Sequence, residues 1–155
     1  MESHCIPFSN VPYFAFNDTA YATGHPALTP FFRYKPSLSA FKDVLKDKSA
    51  TPTDRDLLVR VLKEQYATLH PSDLVHAHIE ALAQPNTFTV ITAHQPSLFT
   101  GPLYYIYKIL GTINLAETLQ DAYPDYRFIP VFISGSEDHD FEEINHINLF
   151  GKRIV

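Results

Sequence analysis

From residue 37 to residue 84 the apolar positions recur at three- and four-residue spacing, the mark of amphipathic helices. Leu38, Phe41, Val44 and Leu45 predict a helix over 37–48. Leu57, Leu58, Val61, Leu62, Tyr66 and Leu69 form one stripe and predict a second over 53–69, opened by Thr53 and Asp56 as a capping-box-like pair. Leu74, Val75, His78, Ile79 and Leu82 predict a third over 72–84, with Ser72 as its cap and Pro85-Asn86 as its end. His76 and His78 do not make a metal pair, because residues two apart on a helix point to different faces.

The pattern changes at Thr87. The β-branched run 88–92 reads as a strand. A polar loop, 93–100, leads into a nearly uncharged segment, 102–121, with Leu103, Ile106, Tyr107, Leu110 and Ile113. A helix so apolar most of the way round is expected to be buried. Thr100 is its expected N-cap, with Gly101 and Pro102 in the first turn, where proline's missing N–H costs nothing. The run 128–133 shows no alternation, as in a strand covered on both faces. Pro130 is awkward there unless it starts the strand or sits beside an irregularity. A strand over 144–150, a turn at Gly151-Lys152 and a return strand from Arg153 are expected to follow.

Residues 1–36 combine Pro7, Pro12, Pro26, Pro30 and Pro36 with eight aromatic rings. Disordered tails are poor in aromatics, so this stretch is expected to be irregular but packed on a larger body, with a short strand near 13–16. The chain thus reads as an irregular and helical segment, 1–86, followed by the first part of an α/β core, 87–155. Strand, loop, helix and strand make one βαβ unit, which cannot cover its own sheet. The polypeptide is therefore expected to continue beyond Val155, and this piece alone to be inactive.

The net charge of −5 and the absence of a basic cluster argue against nucleic-acid binding. No apolar run approaches the ~20 residues of a membrane helix. One cysteine, Cys5, allows no intramolecular disulfide. The first residues lack the features of a signal peptide. A cytoplasmic location is expected.

Ligands of open parallel sheets bind beyond the carboxyl ends of the strands. Two polar segments fall there, 94–101 and 134–140. They begin roughly 5 Å apart if the strands are neighbours and about 10 Å apart with one strand between. In the first, His94 and Gln95 could hydrogen-bond a substrate or nucleotide, while Thr100 and Gly101 could present N–H groups to an anion. A polar connector is the plainer alternative. The segment is neither a Walker A loop nor Gly-x-Gly-x-x-Gly. Lys108 could reach a phosphate or simply snorkel to the surface.

In the second segment Glu137, Asp138, His139 and Asp140, followed by Glu142, Glu143, Asn145 and His146, form the densest ionisable cluster. The carboxylates and His139 could bind amines or hydroxyls and act as acid or base. Asp138, His139 and Asp140 could instead hold a divalent metal, or the segment could merely cap a helix, since acidic residues favour its N-terminus. No distant ligand of matching spacing supports the metal.

Residues 92–109, Thr-Ala-His-Gln-Pro-Ser-Leu-Phe-Thr-Gly-Pro-Leu-Tyr-Tyr-Ile-Tyr-Lys-Ile, resemble the Gly-(His/Gln)-Gln-x-x-Leu-x-Thr-Gly-Pro-Leu-Tyr segment of the bacillithiol-biosynthesis cysteine-adding enzymes. Residues 136–146 resemble that family's Glu-Asp-His-Asp-Phe-Glu-Glu-Ile-Asn-His segment. Ala93 stands where the family usually has Gly, and Pro96-Ser97 also departs from it. The resemblance implies a Rossmann-like core related to nucleotidyltransferases and class I synthetases, and in the much longer family members a dimerising coiled coil. It implies a bacterial ligase joining L-cysteine to the amine of glucosaminyl-malate, with ATP or another nucleotide expected because amide formation from a free carboxylate is uphill in water. Asp138 and His139 are the catalytic candidates. His94, Gln95, Thr100, Gly101, Ser136, Glu137 and Asp140 are the binding candidates, and no metal site is expected. The rival readings are a metal-dependent hydrolase centred on Asp138, His139 and Asp140, and a non-catalytic interaction module.

Overall fold

The computed structural model describes residues 4–97, 99, 101–137 and 141–155. It divides into two compact units, Met1–Thr51 and Pro52–Val155. The division falls at 51 rather than at 86 because the two helices after residue 52 pack with the sheet.

In the first unit the segment expected to hold a strand near 13–16 instead starts helix α1, Phe16–Thr23. Asp18 accepts a hydrogen bond from the Ala15 N–H (3.0 Å), holding the first turn. Gly24, at φ 66°, ends the helix in the left-handed conformation that glycine adopts without strain. The aromatic rings pair with one another: Phe8 stacks on Phe14 at 4.8 Å and Tyr21 meets Phe32 edge-on at 5.8 Å. Helix α2 spans Phe41–Ser49 and follows a short 3₁₀ turn at Leu38–Ala40, so the helix predicted over 37–48 is split at its start. Its Asp47 accepts hydrogen bonds from the Tyr34 hydroxyl and the Arg33 guanidinium, which join the irregular segment to α2. The Tyr34 hydrogen bond, with Arg33 beside it, holds the Asp47 carboxyl below its ordinary range.

In the second unit α3 spans Arg55–Tyr66. Its cap is Asp54, whose Oδ1 accepts from the Leu57 N–H at 2.9 Å, so Thr53 and Asp56 are not the capping pair. Helix α4, Asp73–Ala81, is capped by Ser72 as expected. Val59 of α3 and Ile79, Ala81 and Leu82 at the end of α4 form the core with Ile129. The Arg55 guanidinium donates to the carbonyls of Leu82 (2.8 Å) and Thr87 (3.1 Å). That ties α3 to the end of α4 and to the strand that follows. His78 is half-buried, and desolvation, aided by the Arg127 charge, pushes its imidazole below the ordinary range.

Strand β1, Thr87–His94, pairs in parallel with β2, Arg127–Ser134, from Thr87↔Arg127 through to His94↔Ser134. The crossover between them is α5, Leu103–Ala122. Pro130 sits inside β2 opposite Val90, not at its start. Backbone parity explains this. Arg127 and Gly135 direct their N–H groups at the carbonyls of Asn86 and His94, so alternate residues, Pro130 among them, face the other edge. There the Gln120 side chain of α5 stands in for a neighbouring strand: it accepts from the Phe128 N–H (3.3 Å) and donates to the Tyr126 carbonyl (2.8 Å).

Helix α5 covers one face of the pair. Ala116 and Leu119 are buried, but Leu103 and Tyr107 are each 66% exposed, so the helix is not buried all round. On the opposite face α3 and α4 cover only the amino-terminal end, leaving Ile91 and Ile133 about half exposed. The expectation of a strand covered on both faces therefore holds for Phe128 and Ile129 and fails for Ile133. After a single-turn helix, α6 (Phe141–Ile144), the short strands β3 (Ile147–Leu149) and β4 (Lys152–Ile154) form a hairpin. Its two-residue turn, Phe150-Gly151, has positive φ at both positions, the twist that suits such hairpins. Among the described residues no helix is long and apolar enough to cross a membrane.

Replacing Ile129 by Ala should cost about 2–5 kcal/mol, since the side chain fills the junction of α3, α4 and β2. Chemical denaturation measures this, and a loss well below that range would mean the two helices do not hold the sheet.

Candidate functional site

The in-register pairing ends with His94 beside Ser134, so the two polar segments leave the sheet from the same end. The Gly135 N–H donates to the His94 carbonyl at 2.9 Å, continuing the ladder one step beyond the strands. Above it opens a cleft of about 420 Å³ lined by His94, Ser97, Gly101, Pro102, Tyr104, His146, Ile147 and Asn148. One wall is the β1–α5 loop with the first turn of α5. The other is the start of the β3–β4 hairpin.

His94 is held on several sides. Its Nδ1 lies 2.9 Å from the Gln95 carbonyl oxygen and its Nε2 lies 2.9 Å from the Tyr104 hydroxyl. The Tyr104 and Tyr105 rings lie 5.2 and 5.1 Å from the imidazole, and Tyr105 in turn meets Phe132 of β2 at 5.2 Å. Lys108 donates to the Ala93 carbonyl at 2.8 Å, so the lysine fastens α5 to the end of β1. Across the cleft, His146 Nδ1 lies 3.2 Å from Asn145 Oδ1 and 3.4 Å from an Arg153 nitrogen.

The N-cap of α5 is Pro102, at φ −68° and ψ 156°, two residues after the expected position 100. Pro102 offers no side-chain acceptor to the first turn, which lies at the mouth of the cleft. Gly101 lies before the helix at φ +64°, and a Cβ there would come within 2.7 Å of Ser97 Cβ. The glycine is thus required by the loop's own packing.

The family model described as "Bacillithiol biosynthesis BshC, N-terminal Rossmann-like domain" matches residues 1–155. The chain belongs to the BshC family. A curated relative from Flavobacterium psychrophilum, named "Putative cysteine ligase BshC", is 41% identical over 157 residues, covering 99% of this chain and 30% of the relative. A relative of the same name from Christiangramia forsetii is 43% identical over 156 residues, covering 99% of this chain and 29% of its own. The chain therefore spans about 30% of the length of such relatives.

Of the expected site residues in this BshC domain, His94 and Gly101 line the cleft. The Gln95 carbonyl meets His94 Nδ1. Ser136 and Glu137 are exposed in the turn after β2, and the Ser136 N–H returns to the Ser134 carbonyl at 2.9 Å. Thr100, Asp138, His139 and Asp140 lie outside the described residues. Among the described residues no three His, Cys, Asp or Glu side chains are grouped to hold a metal. Ser97, Tyr104, His146 and Asn148 line the cleft without having been picked out as site residues. His146 had one available signal, its place at the end of the acidic motif. Tyr104 had its position in the first turn of a helix that starts at a strand's carboxyl end.

Gly101→Ala should destabilise the BshC chain by at least about 1 kcal/mol, from left-handed strain alone. Adding Ser97→Gly should recover part of that loss by removing the collision. Thermal unfolding of the single and double variants checks this; equal stability of the two would remove the Ser97 contact as the cause.

Proposed function

We propose that this chain forms the N-terminal part of a cytoplasmic ligase that joins L-cysteine to the amine of glucosaminyl-malate through an amide bond. The observation that carries the reading is the cleft itself. It lies at the carboxyl end of a parallel strand pair, lined by the first segment that resembles the family and by His146 at the end of the second, in a chain about 41% identical to a protein named as a putative cysteine ligase. Its volume of about 420 Å³ suits a small ligand.

The cysteine carboxylate needs activation before an amine can displace its oxygen, and ATP or another nucleotide supplies that. The first turn of α5 and the left-handed Gly101 before it suit such an anion, because a helix N-terminus offers backbone N–H groups and glycine adds no side chain. His94 and Gly101, which line the cleft, are assigned to substrate or nucleotide binding, and with them Gln95, Thr100, Ser136, Glu137 and Asp140. Asp138 and His139 of the acidic motif are assigned to the chemistry as the catalytic candidates. The functional unit is the longer enzyme, proposed to be a homodimer.

In that longer enzyme Asp138→Asn and His139→Gln should each lower kcat/KM for conjugate formation by roughly a hundredfold or more, with the melting temperature unchanged. Asn caps a helix as well as Asp does, so a capping role predicts no such loss. Activity within a few-fold of the parent for both variants would make the acidic motif structural.

A further inference from the structure

The geometry points to a proton relay in which the Tyr104 hydroxyl connects the amine substrate in the cleft to Nε2 of His94. This deepens the ligase reading and rests on it. The hydrogen bonds of the imidazole fix its chemistry. The Gln95 carbonyl, 2.9 Å from Nδ1, can only accept, so Nδ1 carries the hydrogen. In the neutral ring Nε2 then presents its lone pair, and the Tyr104 hydroxyl at 2.9 Å donates to it. The two partners hold the tautomer that a free histidine side chain disfavours. They come from the residue directly after β1 and from the first turn of α5, and the Lys108–Ala93 hydrogen bond fixes those two elements to each other. The Tyr105–Phe132 contact sets the plane of the ring from behind.

Both His94 and Tyr104 line the cleft, and the Tyr104 oxygen keeps a lone pair for a further donor. An amine enters as an ammonium ion, which cannot attack a carbonyl. Its N–H bond breaks as a proton passes to the Tyr104 oxygen, and the tyrosine's own proton passes to His94 Nε2. The amine nitrogen keeps the electron pair, the tyrosine returns to its starting form, and the imidazole becomes an imidazolium. That cation then donates from both nitrogens, Nδ1 to the Gln95 carbonyl and Nε2 to the Tyr104 oxygen. Every atom in the sequence is already within hydrogen-bonding distance except the substrate's.

Tyr104→Phe keeps the ring contact with His94 and removes only the hydroxyl. The test is made on the longer enzyme labelled with 15N-histidine, with the His94 signals identified by their loss in His94→Gln. Expected is the Nδ1–H tautomer in the parent, a shift toward the Nε2–H tautomer in Tyr104→Phe, and a fall of roughly a hundredfold or more in kcat/KM for glucosaminyl-malate. A parent ring in the Nε2–H tautomer overturns the relay, whatever the enzyme makes. A parent that forms conjugate and a Tyr104→Phe variant equally active also overturn the relay, while leaving the ligase reading in place. A parent that forms no conjugate from cysteine, nucleotide and glucosaminyl-malate overturns the ligase reading, and the relay with it.

Discussion

The parallel pairing of β1 with β2 is the constraint on which the candidate site depends. Because the strands run in register from Thr87↔Arg127 to His94↔Ser134, both polar segments must leave the sheet at one end. A shift by one residue would turn the core-facing Ile129 toward α5 and break its contact with Val59 and Ile79. The hydrophobic junction at the bottom of the strands thus sets the geometry at the top, where His94, Gly135 and the first turn of α5 meet. Gln120, Pro130 and Arg55 support the same arrangement. Gln120 and Pro130 complete or dispense with hydrogen bonds at the outer edge of β2, and Arg55 gathers the carbonyls of Leu82 and Thr87.

Much of the second unit could be read from spacing alone. The stripes of α3 and α4, the β-branched run of β1 and the unbroken run of β2 each carry a strong period or composition, and the structure places an element of the expected type at each. What was not legible depends on contacts distant in sequence. The Phe16–Thr23 helix is short, and its signals, Asp18 in the first turn and Gly24 after the last, are drowned by the surrounding prolines and aromatics. The interior position of Pro130 could not be foreseen without knowing which edge of β2 meets β1. Pro102 rather than Thr100 caps α5 because Gly101 takes the left-handed conformation that packs its backbone against Ser97.

The site was legible in its location and only partly in its members. His94 and Gly101 follow from the rule that parallel sheets bind at their carboxyl ends. Tyr104 was hidden because it sits in an apolar helix where tyrosine reads as packing, and only the fold reveals its hydroxyl beside an imidazole ten residues earlier. His146 and Asn148 come to the cleft because α6 and the β3–β4 hairpin bring the chain back across it, a return that no local pattern announces.

One cleft, walled by the β1–α5 loop and the start of the hairpin, is proposed to receive the substrate. Its most direct test follows the imidazole signals of His94 and His146 in the longer enzyme while glucosaminyl-malate is added, with calorimetry reporting binding in parallel. Both histidines should shift together and saturate at the concentration at which the heat of binding saturates. Saturable binding that leaves both signals unmoved would place the substrate outside this cleft.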